Sequence, residues 1–157
     1  MILSLFFRDL KSQVLCSKQL KIRGNNMGFT RYWTYDKPFK PLPDSEWNEF
    51  KRDVRKILKN NKDNLNIPLS AGSHGENRGP IIGRDYIVLN GVDEDMHEDL
   101  LIQKDPTPES LSIVKYSPTQ SGFRFCKTGR KPYDFIVWNI LQAFGDRFKN
   151  SITIDSD

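Results

Sequence analysis

The side chains of this chain best fitted for chemistry are concentrated in the run Gly122-Phe123-Arg124-Phe125-Cys126-Lys127-Thr128-Gly129-Arg130-Lys131-Pro132-Tyr133-Asp134. Two aromatics bracket an arginine in an alternating, strand-like stretch. A thiol, a hydroxyl and three cations follow, and a proline then opens an amphipathic segment. Cations beside the unpaired N–H groups of a helix start make a receptor for phosphate or carboxylate. Lys127, Thr128, Arg130 and Lys131 are the candidate ligand-binding residues. Arg130 is able to grip an anion with two parallel hydrogen bonds, which lysine is not. The competing reading leaves these cations solvated, or paired with Asp134 or the acidic corner Asp93–Asp99. Cys126 is a candidate nucleophile, because cations and a helix N-terminus lower thiol pKa values. His97, oriented by Glu98 or Asp99, would be its base. Against this, a cysteine that ends a strand commonly serves as a small buried hydrophobe.

Tyr32 and Trp33 offer stacking surfaces for a planar ring, with Thr30 and Tyr35 beside them. On an alternating strand Tyr32 and Thr34 face one way, and Trp33 and Tyr35 the other. One set belongs to the core, and the remaining set is left to line a pocket with the cations. Metal and cofactor sites are not expected. His74, His97 and Cys126 lack close ligand pairs, and Asp93–Asp99 lacks the glycine and periodic acids of a calcium loop. Gly72-x-x-Gly75-x-x-x-Gly79 lacks the Gly-Lys-Ser/Thr of a phosphate loop.

The elements that must position these residues follow from periodicity. Phe29–Tyr35 is rich in β-formers and reads as a strand. The prolines of Lys37–Pro43 impose an extended connection. Asp44 or Ser45 then caps a helix whose stripe is Trp47, Phe50, Val54, Ile57 and Leu58. A short strand is expected over Ile67–Ala71, and a glycine-rich loop over Gly72–Pro80. Asp85–Asn90 and Leu100–Gln103 read as antiparallel neighbours, and Phe123–Lys127 as a further strand. Pro132 suits the first turn of a second helix, with Tyr133, Ile136, Val137, Ile140, Leu141, Phe144 and Phe148 on one face. Ile152–Ile154 adds a final strand. The fold expected is α+β, with a small antiparallel or mixed sheet of about five strands and two main helices packed on one face.

A chain of 157 residues, 37% hydrophobic and 28% charged, fits one globular domain. Two cysteines, Cys16 and Cys126, do not make a disulfide framework. The net charge is +4, yet five of the 24 cations (Arg8, Lys11, Lys18, Lys21 and Arg23) and one of the 20 anions (Asp9) lie in residues 1–26. The rest of the chain balances, so the generally basic surface of a duplex nucleic-acid binder is not expected. Residues 1–26 read as an extension or an upstream leader, and 27–157 as a single α+β domain with Met27 as a second possible start. The apolar start Met1–Phe7 is too short for a signal peptide or a membrane span. A soluble, cytoplasmic protein is expected.

Cys126-Lys127-Thr128-Gly129-Arg130-Lys131-Pro132-Tyr133-Asp134 resembles the "CKTxRKPYD" signature of a family of small uncharacterised proteins from bacteria, phages and some eukaryotes. Gly28-Phe29-Thr30-Arg31-Tyr32-Trp33 is similar to its N-terminal strand, with Arg31 in place of a histidine. Asn90-Gly91 and His97-Glu98 match two shorter features. The resemblance spans Gly28 to Phe148 and implies one fold unit, without assigning a reaction. The function expected is binding of a small anionic, nucleotide-like ligand at residues 126–131. A hydrolase or transferase built on Cys126 and His97, or a partner-binding module with no small-molecule site, are the alternatives.

Overall fold

The architecture is that of a computed structural model describing residues 28–75, 77–107 and 122–157. The extension expected over residues 1–26 and the start at Met27 lie outside the described residues. Rich in aromatic and β-branched residues, Thr30–Tyr35 is the first strand, β1. Trp33 and Tyr35 turn into the core, while Tyr32 and Thr34 turn away from it. The proline-rich connection then leads into helix α1, Asp44–Asn60, which buries Trp47, Phe50 and Val54. Among the described residues no side chain caps this helix, and Pro43 holds the cap position. Asp44 is instead the first helical residue. Its carboxylate takes a hydrogen bond from the Lys104 ammonium, which lowers its pKa from the ordinary value.

A wider turn over Asn61–Leu65 continues α1, and a 3-10 turn follows at Gly72–His74. The strand expected at Ile67–Ala71 is reduced to a single bridge between Ser70 and Asn90. The reason is local. The Asn61 amide donates to the Ile67 carbonyl and accepts from the Ile67 N–H, using up both backbone groups. Three short strands come next: β2 at Ile81–Ile82, β3 at Tyr86–Leu89 and β4 at Leu100–Gln103. They form an antiparallel sheet in the order β2-β3-β4. β5, Phe123–Lys127, leads to helix α2, Asp134–Arg147, and the chain ends in β6, Ile152–Ser156.

The second antiparallel sheet has the order β5-β1-β6, so β1 lies in its centre. In this register Tyr32 stands between Phe125 and Asp155, and Thr34 between Phe123 and Thr153. The described residues therefore build an α+β fold of two helices and two three-stranded antiparallel sheets. One core joins them: Trp33 and Tyr35 of β1, Phe50 of α1, Ile87 and Leu89 of β3, Leu100 and Ile102 of β4, and Ile140 and Phe144 of α2. Phe50, Phe144 and Phe148 meet as an aromatic cluster with ring centroids 5.0–6.0 Å apart, which favours edge-on and tilted contacts. Polar ties link the two sheets as well. The Tyr35 hydroxyl donates to the Gln103 carbonyl at 2.8 Å, and the Glu98 N–H to the Lys127 carbonyl at 3.3 Å.

Candidate functional site

At the strand-to-helix junction the anion position is held by the protein's own carboxylate. Asp134, the first residue of α2, accepts two hydrogen bonds from Arg31, from Nε at 2.9 Å and from Nη2 at 2.6 Å. The Thr128 hydroxyl donates to the same carboxylate at 2.6 Å. The side chains of Arg31 and Asp134 are only 12% and 15% exposed, and Thr128 is fully buried. Arg31 is also flanked by two rings, with Phe29 at 4.5 Å and Trp138 at 4.4 Å from its guanidinium carbon. Arg130 covers the same Phe29 ring at 5.0 Å, completing a layered series Trp138, Arg31, Phe29, Arg130. Thr128 is thus committed to holding the helix start.

Past Thr128 the backbone turns sharply. The N–H groups of Thr128 and Gly129 both donate to the Phe29 carbonyl, at 3.0 and 3.1 Å. Gly129 has φ +58°, and a Cβ there would sit 3.0 Å from the His97 ring, so both conformation and space call for glycine. Arg130 also has a positive φ, 57°, which places its exposed side chain over Phe29 at a conformational cost of about 1 kcal/mol. The Lys131 ammonium donates to the Glu94 carbonyl at 2.7 Å. Lys127 is tied through its backbone, whose N–H donates to the Glu98 carboxylate at 2.8 Å. Its alkyl stem lies across Gly28, where a Cβ would come within 2.2 Å of the Lys127 Cε. Of the four cation-site candidates, Lys127, Arg130 and Lys131 reach the outside of the turn, and Thr128 does not.

Cys126 is fully buried, and its thiol donates to the Glu98 carbonyl at 3.4 Å. Burial pushes the thiol pKa up, and the nearby Glu98, Asp134 and Asp99 carboxylates add to the rise. That is the opposite of what a thiolate nucleophile needs. The buried Tyr133 hydroxyl donates to the same Glu98 carbonyl at 2.9 Å. Neither acidic neighbour orients the His97 imidazole. The Glu98 carboxylate takes the Lys127 N–H, and Asp99 takes the Asn90 amide and the Ser73 hydroxyl. His97 is held through its backbone, with both its N–H and its carbonyl bonded to the Asn90 side chain at 3.0 Å. Among the described residues no group of three His, Cys, Asp or Glu side chains is placed to hold a metal, and no helix is long and apolar enough to cross a membrane.

The outer face of the β5-β1-β6 sheet has a different character. Its three rows across the strands are Phe123–Thr34–Thr153, Phe125–Tyr32–Asp155 and Lys127–Thr30–Asp157; the first two and the Lys127–Thr30 pair are direct register partners. The Asp157 carboxylate joins the last row by accepting the Thr30 N–H at 2.8 Å. Phe123 and Phe125 are 40% and 53% exposed. Their ring centroids are 6.2 Å apart, and Tyr32 stacks on Phe123 at 5.6 Å with 30° between the planes. The Tyr32 hydroxyl donates to Asp157 at 2.8 Å, a bond that holds the Asp157 carboxyl below its ordinary pKa. A hollow of about 300 Å³ opens beside the rings, lined by Tyr32, Trp33, Thr34, Phe123, Thr153 and Asp155.

Both aromatic ligand candidates therefore border this hollow, although the Trp33 side chain belongs to the core. Phe123, Thr153 and Asp155 border it too, with Phe125 beside Phe123, and none of the four is a ligand candidate from sequence. The alternation of Phe123, Phe125 and Lys127 was a readable signal for a common face. Nothing in the sequence placed that face beside Tyr32 or Asp155. The chain matches no family model, no curated protein and no solved structure.

Proposed function

We propose that this protein is a small binding protein for an anionic, nucleotide-like ligand, with the planar ring of the ligand stacked on the outer face of the β5-β1-β6 sheet. The observation that carries this reading is the contact series Tyr32, Phe123 and Phe125, three rings on one sheet face with two of them largely exposed. Aromatic side chains at alternate strand positions are suited to stacking unpaired bases, whatever the base identity. The charges of the face support the same orientation. Lys127 lies on the β5 side with Arg130 beyond it in the turn, and Asp155 and Asp157 lie on the β6 side. A phosphate is drawn toward the first pair and the amino edge of a base toward the second. This moves the anion-binding role from the interior of residues 126–131, which Asp134 neutralises, to the outward-facing Lys127, Arg130 and Lys131.

The likeness of residues 126–134 to the CKTxRKPYD run directs attention to the same end of the sheet. A cytoplasmic setting fits both a nucleotide ligand and the free thiol of Cys126. The test is thermal unfolding of the full chain against nucleoside mono- and diphosphates and simple anions. At a ligand concentration of 100 times Kd the stabilisation is about 2.7 kcal/mol, or a Tm rise of roughly 5–10 °C. The variant Phe123→Ala/Phe125→Ala loses that rise. No shift with any nucleotide in the parent protein refutes the reading.

A further inference from the structure

We infer that the hollow beside Tyr32 and Phe123 is a seat for a guanine base whose Watson–Crick edge is read by the Asp155 carboxylate, an inference that rests on the nucleotide reading above. The hollow has two unlike walls. Tyr32 and Phe123 form the apolar one and are stacked on each other at 5.6 Å. Thr153 and Asp155 form the polar one, two residues apart on β6 and therefore on the same face. Thr34, a small side chain on the central strand, lies between them, opposite Phe123 on one side and Thr153 on the other. A flat molecule with one polar edge fits this arrangement, its face on the rings and its edge toward β6.

The polar wall selects among such molecules by its donors and acceptors. An ionised carboxylate only accepts hydrogen bonds, and each oxygen has room for about two. Asp155 uses Oδ1 for the N–H of Ser156 at 2.8 Å, and it makes no salt bridge among the described residues. Its remaining capacity calls for a ligand edge presenting two adjacent donors. Guanine presents N1–H and the N2 amino group side by side. Adenine and cytosine each present one amino donor beside a ring nitrogen that would face the carboxylate with its lone pair. Uracil presents a single N–H between two carbonyls. The Thr153 hydroxyl, which donates or accepts, is available for the guanine O6. On the other side of the face, Lys127 stands four residues from Phe123 along β5, about 13 Å at the usual strand rise. That distance lies within reach of a phosphate on the same nucleotide or the next one in a strand.

The test is calorimetric titration of the full chain with GMP, AMP, CMP and UMP, repeated with Asp155→Asn, Thr153→Val and Phe123→Ala. The expected result is a GMP preference over each of the other three on the order of 10-fold or more. Asp155→Asn, a surface change that retains an acceptor for Ser156, removes that preference by lowering GMP affinity far more than AMP affinity. Thr153→Val lowers GMP affinity by a smaller factor, and Phe123→Ala weakens all four nucleotides together. Tighter binding of a uridine octamer carrying one guanosine than of GMP places the base in a single strand. Tighter binding of GMP assigns the free nucleotide. Equal affinities for the four nucleotides, or a GMP preference that survives Asp155→Asn, overturn the inference while leaving the nucleotide reading standing. Binding of arginine amide or of a peptide of residues 1–26, with no binding of any nucleotide, overturns both.

Discussion

Replacing Asp134 by alanine removes one carboxylate, which leaves the Arg31 guanidinium without its acceptor and the Thr128 hydroxyl with only a weak one. The Arg31 guanidinium, 12% exposed at its side chain, loses both of its bonds to Asp134. Breaking one side of a buried pair costs about 3–5 kcal/mol, mainly because the remaining charge is stranded. The fully buried Thr128 hydroxyl loses its 2.6 Å bond and keeps only a 3.5 Å contact with the Phe29 carbonyl. An unsatisfied buried hydroxyl costs about 1–3 kcal/mol, and the two costs overlap because they share one cavity. The contacts of Arg31 with Phe29 and Trp138 survive and offset part of the loss. The expected destabilisation is about 4 kcal/mol. Arg31→Met keeps the packing between the rings but strands the Asp134 carboxylate, which retains only the Thr128 bond and the helix N-terminus, so it is expected to cost about 3 kcal/mol. The double variant Arg31→Met/Asp134→Ala should be more stable than Asp134→Ala alone, because no stranded cation remains. Urea unfolding followed by circular dichroism, with unchanged m values, measures all three. A loss below 1 kcal/mol for Asp134→Ala, or strict additivity in the double variant, would refute the assignment of this carboxylate as the junction's internal anion.

Two further outcomes follow from buried acids. Native Cys126 should resist iodoacetamide at pH 7.5 and react once urea unfolds the chain, as mass spectrometry of the 126–131 peptide would show; rapid native labelling would restore the thiolate mechanism. Burial raises the Tyr35 hydroxyl pKa from 10.0 to about 12, so between those values the unfolded chain has released a proton that the native state retains. Stability therefore falls as pH rises through that window, by roughly 2–3 kcal/mol in all. Tyr35→Phe should give a shallower pH dependence of the urea midpoint, and an unchanged slope would contradict the burial argument.

The elements were legible where one pattern decides them. The period-two alternation of Phe123–Lys127 and the apolar run Leu100–Gln103 give both strands to the residue. The 3.6-residue stripe of Trp47, Phe50 and Val54 gives α1. Ile67–Ala71 misled because its apolar content hides the amide of Asn61, a residue outside the window, which takes the Ile67 backbone. Alternation alone also separated Tyr32 from Trp33. The pairing of β1 with strands about 90 and 120 residues later was not legible, since no local pattern encodes a partner at that distance. The hollow is a product of that pairing. Asp134 is readable as a partner for the nearby cations, but Arg31 as its actual partner is not: it reaches Asp134 across 103 residues, and charge counting cannot tell which cation satisfies a carboxylate.

A ligand stacked on the outer face of the β5-β1-β6 sheet perturbs the backbone amides beneath it. Backbone amide chemical-shift mapping of the full chain titrated with GMP tests it most directly. Shifts are expected at Tyr32–Thr34, Phe123–Lys127 and Thr153–Asp155, with α1 and the Gly72–His74 turn unmoved. Shifts confined to other surfaces, or a spectrum unchanged at millimolar GMP and with each other nucleotide, would contradict it.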